Sequence, residues 1–486
     1  MFSKLYKILF PDEAPERQKV LLMSSFVLVL LIAIVAVFAP WKITIGVLAV
    51  ILVLLLFFRF INLGFYLIVF LCPFIYLQLF IGRDINIPYV DVIAMFVFAA
   101  WGLRSLFLPP HGGLPLLKSW GKGAKLSLEN FPGLLFFLLF FLASILSLIN
   151  TESFFFSLKY ILRPLTFFYL MFVVLPYNII NSKKILFRVF WILFGVGIFV
   201  SLMGLWSIIF STSEGLFRRA IPVEIFGIPI LGTNHNLISE VLISVIPICF
   251  ILIWETNKLW LKKFLIVGLL FMIAINLLTL SRTGWIALAL ELAILVFVKY
   301  RKNVKSFAKL GLIIFLIVSP LVVYGYIFMT SEVVRSSNLN RLALTKIALE
   351  NFYNHPIVGN GAGTFIEQVS QNRWYIVDYG SPSEAHGVVQ KLLAETGLIG
   401  FLTFFALLGY ILLRLVKIYR QMPEEEPFKN IILALTLTSF GSIVFQFFQT
   451  SYFVSKFWLP LGIALAVARL AEEEVREKKR SNYVKG

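Results

Sequence analysis

The feature that most constrains this chain is a succession of apolar segments, each long enough to cross a bilayer as a helix, joined by short polar connections. A transmembrane helix needs about 20 mostly apolar residues. A soluble core cannot hide so much apolar surface, and the strands of a membrane barrel alternate instead of running apolar. The pattern therefore predicts an all-α, polytopic integral membrane protein and excludes a soluble enzyme, a disordered chain and an outer-membrane barrel.

Fourteen segments have the length and apolar character of a membrane span. They lie at roughly 20–39, 41–58, 61–81, 88–107, 131–149, 159–178, 184–210, 236–254, 260–279, 283–299, 307–329, 389–415, 428–449 and 453–470. The closely spaced pairs near Pro40 and Asn62 fit re-entrant segments equally well, so the sequence predicts 12 to 14 transmembrane helices. No internal repeat is visible, whereas many transporters are built from inverted repeats.

Composition agrees with a membrane protein and separates it from nucleic-acid-binding chains. Hydrophobic residues make up 60% of the sequence and charged residues only 14%, with a formal net charge of +18. In a soluble chain such a charge would suggest nucleic acid, but here the basic residues lie mostly in loops, where they set topology and meet anionic lipid. We therefore expect membrane lipids, and no nucleic acid, among the partners. Cys72 and Cys249 lie inside apolar segments without metal-ligand spacing and are expected to be packing residues.

The basic residues fall in alternate connections and thereby predict the topology. With the N-terminus inside, the inner loops carry Lys4, Lys7, Arg17, Lys19, Arg59, Arg104, Lys118, Lys122, Lys125, Lys183, Lys184, Arg188, Lys258, Lys262, Lys263, Lys299, Arg301, Lys302, Lys305, Arg414, Lys417 and Arg420, followed by a basic tail. Positive loops mark the cytoplasmic side, so both termini are predicted to be cytoplasmic. Three segments then lie outside, at about 211–235, at the turn Ser281-Arg282, and at about 330–388.

This topology predicts five successive regions. They are an N-terminal transmembrane bundle (1–210), core transmembrane helices with outer polar motifs (211–329), a large outer loop (330–388), C-terminal transmembrane helices (389–470) and a basic tail (471–486). The large loop has helical stretches of its own, notably Arg341–Asn351, and a long connection with its own structure is usually functional.

Polar side chains within the spans concentrate near the outer ends, where they predict a functional layer. This layer comprises Arg163, Glu240, Asn276, Ser281, Arg282, Gln446, Gln449 and Lys456, with Asn234, His235 and Asn236 capping a helix from outside and Arg218 and Arg219 in the preceding loop. Arginine suits a diphosphate because its guanidinium group binds two oxygens at once and stays charged. Snorkelling and bonding between helices are the alternative interpretation, especially for Arg163, whereas for the loop residues Arg218 and Arg219 the alternative is a surface charge.

Two further titratable residues need separate interpretations. Glu291 lies near the middle of a span without an evident partner, so it is predicted to be protonated or hydrogen-bonded across helices, with a proton relay as the alternative. His386 immediately precedes the helix that returns to the membrane. A neutral imidazole there could take a proton from a sugar hydroxyl, because its ordinary pKa is near neutral pH.

Four motifs, in order and all on the predicted outer side, carry a family resemblance. They are Gly232–Asn236 (GTNHN), Leu280–Trp285 (LSRTGW), Arg341 followed by Asn351–Phe365 (NFYNHPIVGNGAGTF), and Glu384–Phe401 (EAHGVVQKLLAETGLIGF). Together they resemble the signatures of the O-antigen ligase/polymerase superfamily over roughly residues 215–405, whereas the N-terminal half matches only in hydropathy.

The resemblance implies a GT-C-like, bacterial inner-membrane glycosyltransferase with its active site in the periplasm. Its donor would be a glycan on undecaprenyl pyrophosphate, and transfer would be inverting, without a metal or other cofactor. A ligase transfers the glycan to a sugar of lipid A-core, and a polymerase transfers it to another repeat unit.

By the same resemblance, His386 takes the base role and Arg282, with Arg218 or Arg219, contacts the diphosphate. Arg163 is a further diphosphate candidate from the outer polar layer. The supporting or substrate-binding candidates are Asn234, Asn236, Arg341, Glu384 and Gln446, and no metal ligand is expected. The chain departs from the family in two places: many members have Asn where Gly387 stands, and Arg219 lies fifteen residues before Asn234, farther than is usual.

The sequence leaves other assignments open. A polymerase shares the donor and the large outer loop with a ligase, and a transporter or flippase without chemistry is an alternative of another class. The glycan, the acceptor sugar and the oligomeric state, monomer or dimer, are not predicted.

Overall fold

The computed structural model describes residues 41–81, 85–107, 128–210, 218–300, 332–424 and 426–485. Two of the fourteen predicted spans, 20–39 and 307–329, lie outside these ranges. The described chain is almost entirely helical, because its long apolar segments can satisfy their backbone hydrogen bonds only internally when they cross a membrane.

The helices of the described residues follow one another in chain order. The first nine are α1 (Trp41–Arg59), α2 (Ile61–Leu71), α3 (Tyr89–Phe107), α4 (Leu134–Leu146), α5 (Phe154–Ile179), α6 (Lys183–Phe210), α7 (His235–Glu255), α8 (Leu259–Leu278) and α9 (Arg282–Lys299). The others are α10 (Glu332–Asn354), α11 (Phe365–Ser370), α12 (Arg373–Tyr379), α13 (Val388–Gln421), α14 (Pro427–Gln446) and α15 (Ser455–Lys485). An antiparallel hairpin, β1 (Gln78–Ile81) and β2 (Ile85–Pro88), stands between α2 and α3.

Six of these helices are long and apolar enough to cross a membrane on their own: α5, α6, α7, α8, α13 and α14. A seventh span results if α1 and α2, which bend by 104° at their junction, count as one. The predicted all-α, polytopic membrane fold is therefore confirmed. The count of 12 to 14 spans is not reached within the described residues, where the predicted segments at α3, α4, α9 and α15 form helices that do not meet the same requirement of length and apolarity.

The described residues divide into two compact units, one within residues 41–65 and 92–107 and the other within residues 66–81 and 85–91 and the described parts of 128–485. In the first, Gly64 allows close packing, since a Cβ atom there would lie 2.5 Å from a methyl carbon of Val97. In the second, α7 and α14 form the centre and are the most buried spans. α7 packs against α6, α8, α9 and α14, while α14 also packs against α9, α13 and α15.

Helices α10 to α12 form a small unit with its own apolar core. The predicted helical stretch Arg341–Asn351 lies within α10. The core side chains come from α10, α11, α12 and the start of α13, and include Ala343, Leu344, Ile347, Ala348, Phe365, Val369, Tyr375, Ala385 and Ala394. Since Ala385 and Ala394 flank the first turns of α13, this core fixes the loop helices against the segment that carries His386.

A kink at Gly397 separates the first turns of α13 from its long apolar part. Gly397 has φ 61° and ψ −163°, and a Cβ atom there would lie 2.4 Å from the carbonyl oxygen of Ile357. Only glycine fits a positive φ with so close a backbone neighbour. Gly397 thus lets the loop segment before Gly359 pass close to α13, where Leu398 N donates to Pro356 O.

Candidate functional site

The site begins with two helix N-termini that are tied together side by side. The side chain of Asn234 caps α7 by accepting from Asn236 N at 2.9 Å, and Ser281 caps α9 by accepting from Gly284 N at 3.3 Å. Ser281 Oγ also donates to Asn236 Oδ1 at 2.7 Å. The positive ends of both helix dipoles therefore lie at one place, which favours an anion.

Close packing behind these caps explains the glycine of the LSRTGW motif. Ser239 Oγ on α7 donates to Asn276 Oδ1 on α8 at 2.6 Å, and Asn276 Nδ2 reaches Gly284 O at 3.5 Å. A Cβ atom at Gly284 would lie 1.7 Å from Ser239 Oγ. A side chain at this position would force the three helices apart.

Three arginines converge on the start of α7. Arg219, Arg282 and Arg341 all exert an electrostatic effect on His235, and Arg282 and Arg341 affect each other. Burial lowers the pKa of Arg219, and burial followed by the neighbouring Arg282 lowers that of Arg341. An arginine side chain is not deprotonated under physiological conditions, so all three charges remain, and those of Arg282 and Arg341 repel each other.

Arg282 and Arg341 retain hydrogen-bond donors that a ligand could use. Arg282 Nη2 donates to Asn338 Oδ1 on α10 at 2.7 Å, which joins the start of α9 to the loop helices. Arg341 Nε is buried and has no hydrogen-bond partner among the described residues. A buried donor without an acceptor is costly, and an anionic ligand would satisfy it.

His386 lies beside the same cluster. Burial, together with the charge of Arg341, lowers the pKa of the His386 imidazole to about 4. The imidazole is therefore neutral at neutral pH and able to accept a proton. Arg341 is the connection between the two parts of the site, since it influences both His235 and His386.

The backbone segment that carries His386 is held in place by contacts of the two residues before it, Glu384 and Ala385. Ala385 O accepts a hydrogen bond from Thr450 Oγ1. Lys391 Nζ donates to both carboxylate oxygens of Glu384, at 2.6 and 2.7 Å, and lies 3.3 Å from Glu395 Oε1. Lys391 and Glu395 are fully buried, so their ion pair is shielded from water, whereas Glu384 is partly exposed.

The buried charges extend into a wider network. Glu395 Oε1 accepts from Phe365 N at 3.1 Å, and Tyr452 OH donates to Glu395 Oε2 at 3.3 Å. Tyr160 OH on α5 donates to Tyr452 OH at 3.3 Å. The network thus connects α5, the loop unit, α13 and the segment before α15. No role was predicted for Lys391 and Glu395, although an oppositely charged i, i+4 pair in an apolar helix was the available signal.

A second buried ion pair lies at the start of α7. Lys456 pairs with Glu240, which also accepts from Ser451 Oγ. Gln446 contacts Ser451 through both ends of its amide: Nε2 donates to Ser451 Oγ at 2.7 Å and Oε1 accepts from Ser451 N at 2.8 Å. Gln446 therefore shapes the turn between α14 and α15. In the same turn, Gln449 Oε1 accepts a hydrogen bond from Asn236 Nδ2 at 3.4 Å.

Other predicted residues have contacts outside the arginine group. The guanidinium group of Arg163 pairs with the carboxylate of Asp91 at 3.4 Å. Arg218 is exposed and donates to Ile208 O at 3.3 Å. Glu291 is buried against Gly441 of α14, and neither carboxylate oxygen has a hydrogen-bond partner among the residues described. The two cysteines are free and buried.

The described ranges contain no group of three or more His, Cys, Asp or Glu side chains that could hold a metal ion. The groups that the site does present are guanidinium groups, helix N-termini and a neutral imidazole. Such a set can bind a polyanion and accept one proton.

Fold and site together define a class: an all-α, multi-pass membrane protein with a cationic site at one end of its helices. Residues 267–405 match the family model described as O-antigen ligase. This match is consistent with the O-antigen ligase/polymerase superfamily and confirms, over that segment, the resemblance seen in the motifs. No curated protein matches the chain. The matched segment contains Arg282, Arg341 and His386, whereas Arg219 precedes it.

Proposed function

We propose that the protein transfers O-antigen polysaccharide from undecaprenyl pyrophosphate to a sugar hydroxyl of lipid A-core, at the periplasmic face of the bacterial inner membrane. The family match supports a glycosyl-transfer enzyme of the ligase or polymerase kind. The observation that carries the finer proposal is the position of Arg341, within electrostatic reach of both the arginine group and His386. A diphosphate binder and a base therefore share one site.

The donor binds through its diphosphate. A diphosphate held by Arg219, Arg282 and Arg341 relieves the repulsion between Arg282 and Arg341 and accepts from the free Nε of Arg341. The N-termini of α7 and α9 add fixed positive potential. The polyprenyl tail leaves the site sideways into the apolar helices, so the donor enters from the outer leaflet.

His386 acts as the general base. Its neutral imidazole takes the proton of the acceptor hydroxyl as the oxygen attacks the anomeric carbon from the face opposite the diphosphate. The new C–O bond forms while the bond to the diphosphate oxygen breaks, so undecaprenyl pyrophosphate leaves and the anomeric configuration inverts. The proton remains on His386 until it passes to solvent.

The arginines stabilise the leaving group as its charge develops. Preorganised cations are most effective where charge appears in the transition state. They thereby supply the stabilisation that a divalent ion supplies in other transferases. We accordingly propose that transfer needs neither a metal nor another cofactor.

The proposal is tested by replacing His386 with Ala in the full-length protein and scoring glycan on lipid A-core by gel. We expect loss of attached glycan and accumulation of the lipid-linked polymer, with normal membrane insertion. Replacing His355, which lies in the loop after α10, with Ala is the matched control and should leave attachment intact. Normal ligation by an inserted His386→Ala variant would refute the base role.

Reconstituted transfer with purified donor and acceptor, in EDTA, tests the metal-free mechanism. Undiminished transfer is expected, and a strict requirement for a divalent ion would contradict it. The same assay separates the enzyme from a transporter, which would move the lipid-linked glycan without forming a new glycosidic bond.

The polymerase is the second candidate, because the family match supports either activity. The two reactions differ only in the acceptor, which no described contact identifies. A null strain that still attaches a single repeat unit would indicate a polymerase, whereas loss of all attached glycan indicates a ligase.

A further inference from the structure

A groove of about 780 Å³ lies between α4, α13 and α15, on the part of α13 farthest from His386. Its lining includes Phe136, Ala406, Gly409, Tyr410, Leu413, Arg414, Lys417, Gln421, Glu472 and Arg476. Arg414 lies 17 residues beyond the kink at Gly397, which at 1.5 Å per helical residue places it roughly 25 Å along α13 from the kink and from the turns next to His386. The groove is therefore distinct from the candidate transfer site.

The two ends of the groove differ in chemistry. Towards the middle of α13 the lining is apolar: the rings of Phe136 and Tyr410 pack at a tilt, with centroids 5.2 Å apart, and Leu413 is 71% exposed. At Gly409 the groove is open, because a Cβ atom there would meet no other atom within 4 Å. Towards the C-terminal end of α13 the lining becomes charged.

The charges at that end leave a cationic surplus. Arg414 donates to both carboxylate oxygens of Glu472, at 3.0 and 3.3 Å, so these two charges offset each other. Lys417 and Arg476 are exposed, and neither has an ion-pair partner among the residues described here. Neighbouring carboxylates are engaged elsewhere, since Glu473 pairs with Arg469 and Glu474 with Lys183.

We infer that this groove binds an anionic phospholipid of the bilayer. The headgroup phosphate lies between Lys417 and Arg476, and one acyl chain runs along Phe136, Gly409 and Leu413. Charge complementarity selects an anionic over a zwitterionic headgroup, since basic residues next to a membrane attract anionic lipid. The continuity of the apolar trench with the charged end selects a phospholipid over free phosphate. The inference is independent of the proposed function.

Native mass spectrometry of the full-length protein in non-ionic detergent tests it, with phosphatidylglycerol and phosphatidylcholine as probes. We expect phosphatidylglycerol adducts at roughly tenfold lower lipid concentration than phosphatidylcholine adducts. The double variant Lys417→Ala/Arg476→Ala should lose this preference. The double variant Lys184→Ala/Arg188→Ala removes the same charge from the exposed start of α6 and should keep it.

A second pair of variants tests the trench. Gly409→Leu fills open space without a clash and should weaken phosphatidylglycerol binding severalfold, while Gly195→Leu, another open and lipid-exposed glycine on α6, should not. The inference is overturned if the wild-type protein binds both lipids with equal affinity. It is also overturned if a variant and its control lose the same amount of phosphatidylglycerol binding, for the charge variants or for the glycine variants. Thermal unfolding of each variant in the same detergent verifies that it is folded.

Discussion

Lys391 Nζ lies 2.6 and 2.7 Å from the two carboxylate oxygens of Glu384, with His386 between these residues in sequence. The lysine is fully buried and also pairs with Glu395, so one positive charge serves two carboxylates. The backbone that presents the imidazole is consequently held by a buried ion group instead of by a surface turn. Such groups are sensitive to the loss of any one partner.

Replacement of Lys391 by Met should therefore destabilise the protein strongly. The change leaves Glu395 buried without a cation, and removing one partner of a buried pair costs about 3–5 kcal/mol. Chemical unfolding in detergent measures the loss. Lys346→Met is the control, because Lys346 is exposed on α10 and its pair with Glu350 is a surface pair worth about 0–1 kcal/mol. Equal stability of the two variants would show that the buried pair contributes nothing.

The pH dependence of transfer should reveal His386. Burial and Arg341 hold the pKa of the free imidazole at about 4, so the base stays deprotonated, and kcat/KM stays constant, as pH falls from 7 to well below 6.5. A bound diphosphate offsets the positive charge of Arg341 and raises the pKa, so the acid limb of kcat should lie at higher pH than that of kcat/KM. Coincident limbs near pH 6.5 would contradict the assigned environment.

Arg341 and Arg335 offer a matched comparison on one helix. Arg341 lies in the cationic group, whereas Arg335 is exposed on α10. Loss of one donor to a developing negative charge typically lowers kcat by about 10²–10³, so Arg341→Ala should show a decrease of that order. Arg335→Ala should retain activity. Steady-state transfer assays measure both, and Arg341→Lys should recover only part of the rate because lysine lacks the bidentate fork.

The sequence was sufficient to predict the membrane fold because apolar length alone dictates it. It also identified the residue that caps α7, since Asn234 is a preferred capping type placed before an apolar helix, whereas the cap of α9 by Ser281 was not predicted. The side-by-side arrangement of the two caps could not be predicted, because it depends on the bond between Ser281 and Asn236 across 45 residues.

The pairing of charges was the least predictable part of the site. Glu240 and Lys456 were each recognised as polar residues near a helix end, yet their contact joins α7 to α15 over more than 200 residues. Arg163 was a diphosphate candidate with snorkelling as the alternative, and only the structure shows its contact with Asp91. Hydropathy fixes depth in the membrane, but it contains no information about which helices are neighbours.

Substitution of Glu291 tests whether this buried residue is structural or carries protons. Both carboxylate oxygens are buried without a partner, and burial of polar atoms without hydrogen bonds costs about 1–3 kcal/mol. Glu291→Met keeps an unbranched side chain of similar length while removing the polar atoms, so we expect greater resistance to unfolding and unchanged transfer. The exposed counterpart Glu350→Met should change stability by less than about 1 kcal/mol. If Glu291→Met instead abolished transfer in a stable protein, and Glu291→Gln did the same, the carboxyl would be carrying protons and the enzyme mechanism proposed here would have to include it.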